Sequence, residues 1–327
     1  MRTRQRTWAI VLAAGDGTRL ATLTTDEQGV AVPKQYCSLA GGGSLLAEAV
    51  ERAQRIVPRE RVCAIVARQH ERWWRNALLT LPSRNVIPQP RNCGTANGIL
   101  LALLSVLERD PLARIVFLPA DHYVRDEATL AQALRAAVLR LTRRTDELLL
   151  VGIEPDEVDP ELGYIVPGAP DGDGVRAVAR FVEKPPAALA RELIVRGAVW
   201  NSFIFAAHGP VLLGLLRARL PQLVGEMETA LAADVRRGFG TLAIDELYER
   251  LPGIDFSREI IQGAEGSLAV LTARACGWSD LGTPKRVAET LRRLEPGRAN
   301  GRRRASRVGG AAFMNLATQY SRVSLAG

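Results

Sequence analysis

Lysine is nearly missing from this 327-residue chain: Lys34, Lys184 and Lys285 stand against forty Arg. A Lys at a candidate site therefore marks a place where a compact, strongly hydrated ammonium serves better than a planar guanidinium. Histidine is as scarce, and His70, His122 and His208 match no H-E-x-x-H spacing. The four cysteines, Cys37, Cys63, Cys93 and Cys276, include no C-x-x-C pair and adjoin no His pair. That pattern argues against a zinc site and a disulfide framework, and for a reducing, cytoplasmic setting. No apolar stretch approaches the ~20 residues of a membrane-spanning helix, so no membrane partner is expected. A G-x-S-x-G elbow, a Walker A loop and internal repeats are also lacking, which leaves hydrolase, P-loop and β-helix readings without support.

Acidic residues are absent from both ends. Residues 1–7 hold three Arg and residues 297–327 six, with no carboxylate in either; these ends account for +9 of a net +8, leaving residues 8–296 at −1. The basic character thus belongs to a flexible N-terminus (1–7) and an Arg-rich tail (297–327) without the apolar period needed to pack. A near-neutral body argues against nucleic acid as a partner. MRTRQRT followed by WAIVLAA imitates a signal peptide, but the apolar run passes straight into GDGTRL and reads as a first strand.

What is present is an alternation of short apolar runs with helical periods. Trp8–Ala13, Val62–Ala67, Asn85–Ile87, Ile115–Leu118 and Leu148–Ile153 read as strands, with helices over 45–56, 71–79, 96–108 and 128–142. Such order predicts an α/β fold with a doubly wound, mostly parallel, Rossmann-like sheet, whose ligands bind beyond the C-terminal strand ends. From about residue 155 the pattern loosens into strands at 163–166, 175–182 and 199–206 and helices near 187–196, 209–218 and 222–235, an inserted substrate-facing layer. Strand 268–272 and a helix near 284–294 follow. The domain of residues 8–296 divides into two halves, 8–154 and 155–296.

The segments with most chemistry fall at predicted strand ends. After strand one, Gly15 and Gly17 allow a sharp turn whose N–H groups approach phosphate oxygens, with Arg19 and Lys34 as countercharge. Asp121 in PADH follows a buried strand as a hard-oxygen ligand suited to Mg²⁺ shared with substrate phosphates, or else as a helix cap. Asp280 in GWSDLG is by itself an ordinary loop Asp. In QPRNCGTAN, Gln89 and the backbone at Gly94 suit a base edge and Thr95 an N-cap. Glu183 and Lys184 end a strand before two prolines; the scarce Lys favours a phosphate contact and the Glu a sugar hydroxyl over a surface pair. Asn201 suits hydroxyl recognition or a turn. DGDG at 171–174 could be a D-x-D glycosyltransferase motif, but two Asp-Gly pairs between strands read as a hairpin turn.

In order along the chain, LAAGDGTRL, VPKQY, QPRNCGTA, PADH, GYI, FVEKP, WNSFIF and GWSDLG resemble the sugar-nucleotide pyrophosphorylases, most closely the mannose-1-phosphate guanylyltransferases, over about residues 8–290. The resemblance implies a glycosyltransferase-A-like nucleotidyltransferase fold with a nucleotide-binding half (8–154) and a sugar-phosphate-binding half (155–296). It implies that Ala13, Ala14, Gly15, Gly17, Thr18 and Arg19 hold the nucleoside triphosphate with Lys34 beside its phosphates, that Gln89 and Gly94 meet the base, and that Thr95 belongs to the nucleotide-binding set. Gly163, Glu183, Lys184 and Asn201 would meet the sugar phosphate, and Asp121 and Asp280 would form a Mg²⁺ pair. The implied reaction joins GTP to a hexose 1-phosphate, giving a GDP-sugar and pyrophosphate, with Arg19, Lys34 and Lys184 neutralising charge. A homodimer is allowed for. The chain departs from the family where Ala13-Ala14-Gly15 replaces Ala-Gly-Gly and where ATLTTDEQGV replaces a WPLS-like stretch. Its tail shows neither the cupin-like nor the β-helix domain of longer relatives.

Overall fold

The computed structural model describes residues 6–26, 28–39, 41–237, 243–294 and Leu316. Its strands are β1 (Thr7–Ala13), β2 (Val62–Ala67), β3 (Val86–Gln89), β4 (Arg114–Pro119), β5 (Tyr123–Val124), β6 (Leu148–Ile153), β7 (Tyr164–Pro170), β8 (Val175–Val182), β9 (Val199–His208), β10 (Leu268–Ala273) and β11 (Trp278–Ser279). The helices are α1 (Ala21–Thr24), α2 (Leu45–Gln54), α3 (Glu71–Ala77), α4 (Thr95–Leu107), α5 (Glu127–Arg140), α6 (Ala187–Val195), α7 (Gly209–Arg219), α8 (Pro221–Arg237), α9 (Ala243–Arg250) and α10 (Pro284–Arg292).

Nine strands form one sheet in the order β3-β2-β1-β4-β9-β6-β10-β8-β7. The expected parallel half is present, with β2 and β4 flanking β1 and β3 outside β2, all parallel. Beyond β4 the sheet is mixed: β10 runs parallel to β6, and β9 lies antiparallel between β4 and β6. The segment expected as an inserted layer thus enters the middle of the sheet through β9, whose apolar run VWNSFIFAAH is buried along most of its length. A strand buried on both faces needs no polar alternation, and this one shows none.

Strand alternation sorts the core into two faces. Ala9, Val11 and Ala13 of β1 join the cluster that packs α2, α5 and α6, while Trp8 and Ile10 join the one that packs α4, α7, α8 and α9. The covered sheet is what leaves only its strand ends open to ligand. Among the described residues no helix is long and apolar enough to cross a membrane, and the four cysteines are free and buried.

Two expectations about the ends meet the structure at single points. Thr7, counted with a flexible N-terminus, begins β1 and is buried. Of the tail 297–327 only Leu316 belongs to the described residues; it is buried, and its N–H donates to the Ser38 carbonyl at 2.8 Å. Residues 1–5 and the rest of the tail lie outside the described residues.

One buried ion pair joins the two helices on the first face. Arg52 of α2 donates through Nη2 and Nε to the Glu127 carboxylate at the start of α5, at 2.8 and 3.1 Å, and both side chains are nearly inaccessible. Removing the carboxylate strands a guanidinium in the core, so Glu127→Ala should lower the unfolding free energy by about 3 kcal/mol. The measurement is the urea midpoint at unchanged m-value; a midpoint equal to the parent's would show that this pair does not hold α2 to α5.

Candidate functional site

The loops after β1, β3 and β4 and the segment between β10 and α10 converge on one side of the sheet and enclose a cavity of about 530 Å³. Its lining includes Ala14, Gly15 and Arg19 from the first loop, and Gln89, Gly94 and Thr95 from the second. Asp121, Asp280, Gly163, Glu183, Lys184 and Asn201 complete the predicted set that lines it. Of the predicted residues, Ala13, Gly17, Thr18 and Lys34 do not line it; Ala13 and Lys34 are buried, Gly17 is half-buried and Thr18 is exposed.

The first loop is shaped from beneath by Gln35, which sequence reasoning left without a role. Its buried amide donates to the carbonyls of Ala13 at 3.0 Å and Gly15 at 2.7 Å. Gly17 has φ +64°, and a Cβ there would lie 2.8 Å from the Lys34 backbone nitrogen, so only glycine lets the loop turn against that segment. Thr18 opens the short 3-10 turn that follows. A Cβ at Gly15 would meet nothing within 4 Å, so the absent side chain there leaves the backbone open towards the cavity. Arg19 is exposed and pairs with Glu161 across the cavity mouth at 3.3 Å.

Lys34 is buried. Its ammonium lies 3.0 Å from Asp121 Oδ2 and donates to the carbonyls of Asp280 at 2.6 Å and Leu281 at 3.3 Å. The two acidic segments are also joined by the ribbon of β5 and β11, in which Tyr123 pairs with Ser279 and Val124 with Trp278. Asp121 and Asp280, distant in sequence, therefore face one cavity because one cation, held by the Asp121 carboxylate and the Asp280 carbonyl, and one ribbon join their segments. Burial would raise the pKa of Asp121, but Lys34 and His122 outweigh it and hold the carboxyl below its ordinary range. Burial lowers the neighbouring His122 to about 4. The alternative reading of Asp121 as a helix cap falls to Asp126, which accepts from the N–H groups of Ala128 and Thr129. Asp280 Oδ1 is buried with no hydrogen-bond partner.

At the other end of the first half, Gln89 is buried and its Oε1 is unpartnered. Gly94 has φ +85°, and a Cβ there would run into the Ile254 backbone. Gly94, not Thr95, is the N-cap of α4. The Thr95 hydroxyl instead accepts from the Phe256 N–H at 2.8 Å, and the Ala96 N–H goes to the Ile254 carbonyl at 3.0 Å. The helix terminus is thus closed by residues 252–257, a stretch with no periodicity to announce it; it carries Asp255 and Ser257 into the cavity lining.

Glu183 and Asn201 come together over Gly163, where a Cβ would lie 2.7 Å from Glu183 Oε2 and 3.3 Å from the Asn201 Cβ. Lys184 is exposed at φ +47°, Phe203 on β9 has φ +56° and Leu281 beside Asp280 has φ +49°. Positive φ at non-glycine residues is uncommon and stores strain; among the described residues these three lie at or beside the cavity, and the fourth, Asp173, lies in the turn between β7 and β8. Burial, reinforced by the nearby Asp255, pushes Glu183 up to about 7 against the pull of Lys184, Arg258 and Ser257. The DGDG stretch makes the turn between β7 and β8: Asp171 pairs with Arg140, Asp173 pairs with Arg143, and neither lines the cavity. That location removes the ground for a D-x-D metal site.

Comparison with known proteins places this geometry among relatives. The family model described as nucleotidyl transferase matches residues 8–295. A mannose-1-phosphate guanylyltransferase of Salmonella muenchen is 28% identical over 283 residues, 84% of this chain and 57% of that protein. The xanthan biosynthesis protein XanB of Xanthomonas campestris is 29% identical over 281 residues, again 84% of this chain and 57% of the relative. The chain thus spans little more than half the length of these curated relatives. A crystal structure from Thermus thermophilus, described as a mannose-1-phosphate geranyltransferase, superposes with TM-score 0.75 at 29% identity, covering 88% of this chain and 79% of that one.

The raised pKa of Glu183 makes stability depend on pH. Its carboxyl binds a proton more tightly folded than unfolded, so this group's contribution is complete below pH 4.5 and is lost as pH rises through about 7. Urea unfolding at pH 5 and pH 8 should show a smaller fall with pH in Glu183→Gln than in the parent. An identical fall in both would remove Glu183 as its source.

Proposed function

The chain belongs to the nucleotidyl transferase family, and from that premise we propose that it joins a hexose 1-phosphate, mannose 1-phosphate first among candidates, to GTP, releasing pyrophosphate. The observation that carries this reading is the meeting of Asp121 and Asp280 at Lys34 beside the glycine-rich loop. The phosphate oxygen of the sugar forms a bond to the α-phosphorus, and the bond from that phosphorus to the bridging oxygen of the departing pyrophosphate breaks. The nucleophile is already anionic, so the protein's work is alignment and charge neutralisation rather than activation of one of its own side chains.

The donor set fits Mg²⁺. Among the described residues no group of three or more His, Cys, Asp or Glu could hold a metal ion, and Mg²⁺ is commonly bound by one or two carboxylates, with waters and substrate phosphates completing its shell. The unpartnered Oδ1 of Asp280 and the Asp121 carboxylate are such donors. Bound there, Mg²⁺ would neutralise phosphate charge. Lys34 keeps the two carboxylate segments in register and adds positive charge at their shared edge. Arg19, released from Glu161, offsets charge on the pyrophosphate, and Lys184 holds the incoming phosphate. Glu183, protonated up to about neutral pH, and Asn201 offer a donor and an acceptor to sugar hydroxyls. The unpartnered Oε1 of Gln89 is an acceptor suited to a base with an exocyclic amine; guanine carries one, as do adenine and cytosine.

Pyrophosphate release from each of the four NTPs with a panel of sugar 1-phosphates tests the reading; GTP with mannose 1-phosphate should give the highest kcat/KM. Asp280→Asn should lose turnover by roughly a hundredfold or more at saturating Mg²⁺ while melting like the parent. No pyrophosphate from any pair would defeat the reading, and full activity in Asp280→Asn would defeat the metal assignment.

A further inference from the structure

Arg286 belongs to no recognised motif of the chain, yet it touches three segments that line the cavity. It lies in the first turn of α10, which Thr283 caps by accepting from the Arg286 N–H at 3.2 Å, and its side chain is buried. Its Nε donates to Asp159 Oδ2 at 2.9 Å and lies 3.7 Å from Asp280 Oδ1 and 3.8 Å from Glu157 Oε1. The guanidinium carbon sits 4.5 Å over the ring of Trp200, the residue before Asn201. Asp159 in turn accepts from the Glu161 N–H at 2.8 Å, and Glu161, Leu162 and Gly163 all line the cavity.

The valences around this arginine are not closed. Arg286 Nη2 and Asp280 Oδ1 are both buried and both without a hydrogen-bond partner. An arginine serving the fold alone would be expected to form the two-pronged pair that satisfies both groups, as Arg52 does with Glu127. Here the guanidinium bonds to the loop carboxylate and stacks on Trp200, leaving an acceptor of Asp280 available. A carboxylate held in a cation's field but not consumed by it is suited to another ligand. Lysine, a point charge, does not bond to Asp159, face Asp280 and lie flat on an indole together.

We propose that Arg286 is a positioning residue that sets Asp280 and the 157–163 loop in one register, aligning the nucleotide end of the cavity with the sugar-phosphate end. The inference rests on the function proposed above. It predicts that loss of the arginine disturbs the sugar-phosphate side and the acidic pair together while sparing the nucleotide loop, which Arg286 does not touch.

The test compares Arg286→Met and Arg286→Lys with the unaltered full chain, using the best NTP and sugar 1-phosphate pair from the panel. Direct Mn²⁺ binding to the protein without NTP, which would itself chelate the ion, read from the paramagnetic resonance of free Mn²⁺, supplies a measurement independent of turnover. In Arg286→Met, kcat should fall and Mn²⁺ binding should weaken by roughly tenfold to a hundredfold. KM for the sugar 1-phosphate should rise by about fivefold or more while KM for the NTP stays within about twofold. Arg286→Lys should fall between and, should the Met variant not fold, decides by the same split. Unchanged Mn²⁺ binding and KM ratio in a folded variant of an active parent would overturn the inference alone, as would a lowered melting temperature with only the active fraction reduced. An inactive parent would overturn the underlying reading and the inference with it.

Discussion

A buried ammonium ties the two ends of the domain together. Lys34 lies 246 residues before Asp280 in the chain, yet its Nζ donates to that residue's carbonyl and pairs with the Asp121 carboxylate. Its burial leaves few groups to satisfy its charge, so the acidic segments are held where it can reach them. The glycine-rich loop is fixed to the same segment from the other side, because Gly17 packs against the Lys34 backbone and Gln35 grips the carbonyls of Ala13 and Gly15. Loop, acidic pair and strand ends thus share one anchor. A guanidinium, larger and planar, would not place three donors around a single point in this way.

The second half of the site depends on β9. By running antiparallel between β4 and β6 it carries Trp200, Asn201 and Phe203 into the middle of the sheet. The register shift between Leu150 and Gly152 opposite β9 and the positive φ of Phe203 re-aim side chains there, as irregular strand positions near functional sites commonly do. Lys184 and Leu281 carry the same kind of backbone strain at two other edges of the cavity. Surrounding packing sustains these conformations: Trp200 and Leu281 are almost wholly buried.

The sheet's parallel half, its flanking helices and the position of the cavity at the strand ends were legible from apolar runs alternating with helical periods. The glycine-rich turn, Lys34, Asp121 and Lys184 stood out because their residue types are unusual at such ends. Thr95 illustrates the limit. A threonine before an apolar helix reads as an N-cap, but its hydroxyl bonds to Phe256 and Gly94 takes the cap position. Ser257, Asp255, His122 and Gln35 carried no local signal, since each acquires its role from a neighbour more than a helix length away or from a backbone it braces.

Local periodicity and residue chemistry were enough to determine an α/β domain with a glycine-rich turn and scarce charged residues at its strand ends, because both are written over a few consecutive residues. Tertiary structure alone decided that Lys34 braces the acidic pair from behind the cavity wall and that β9 enters the sheet. It also decided that Arg286 faces Asp280. Those outcomes depend on burial and on strand order, in which segments hundreds of residues apart compete for the same partner, and no stretch of sequence records which of them wins.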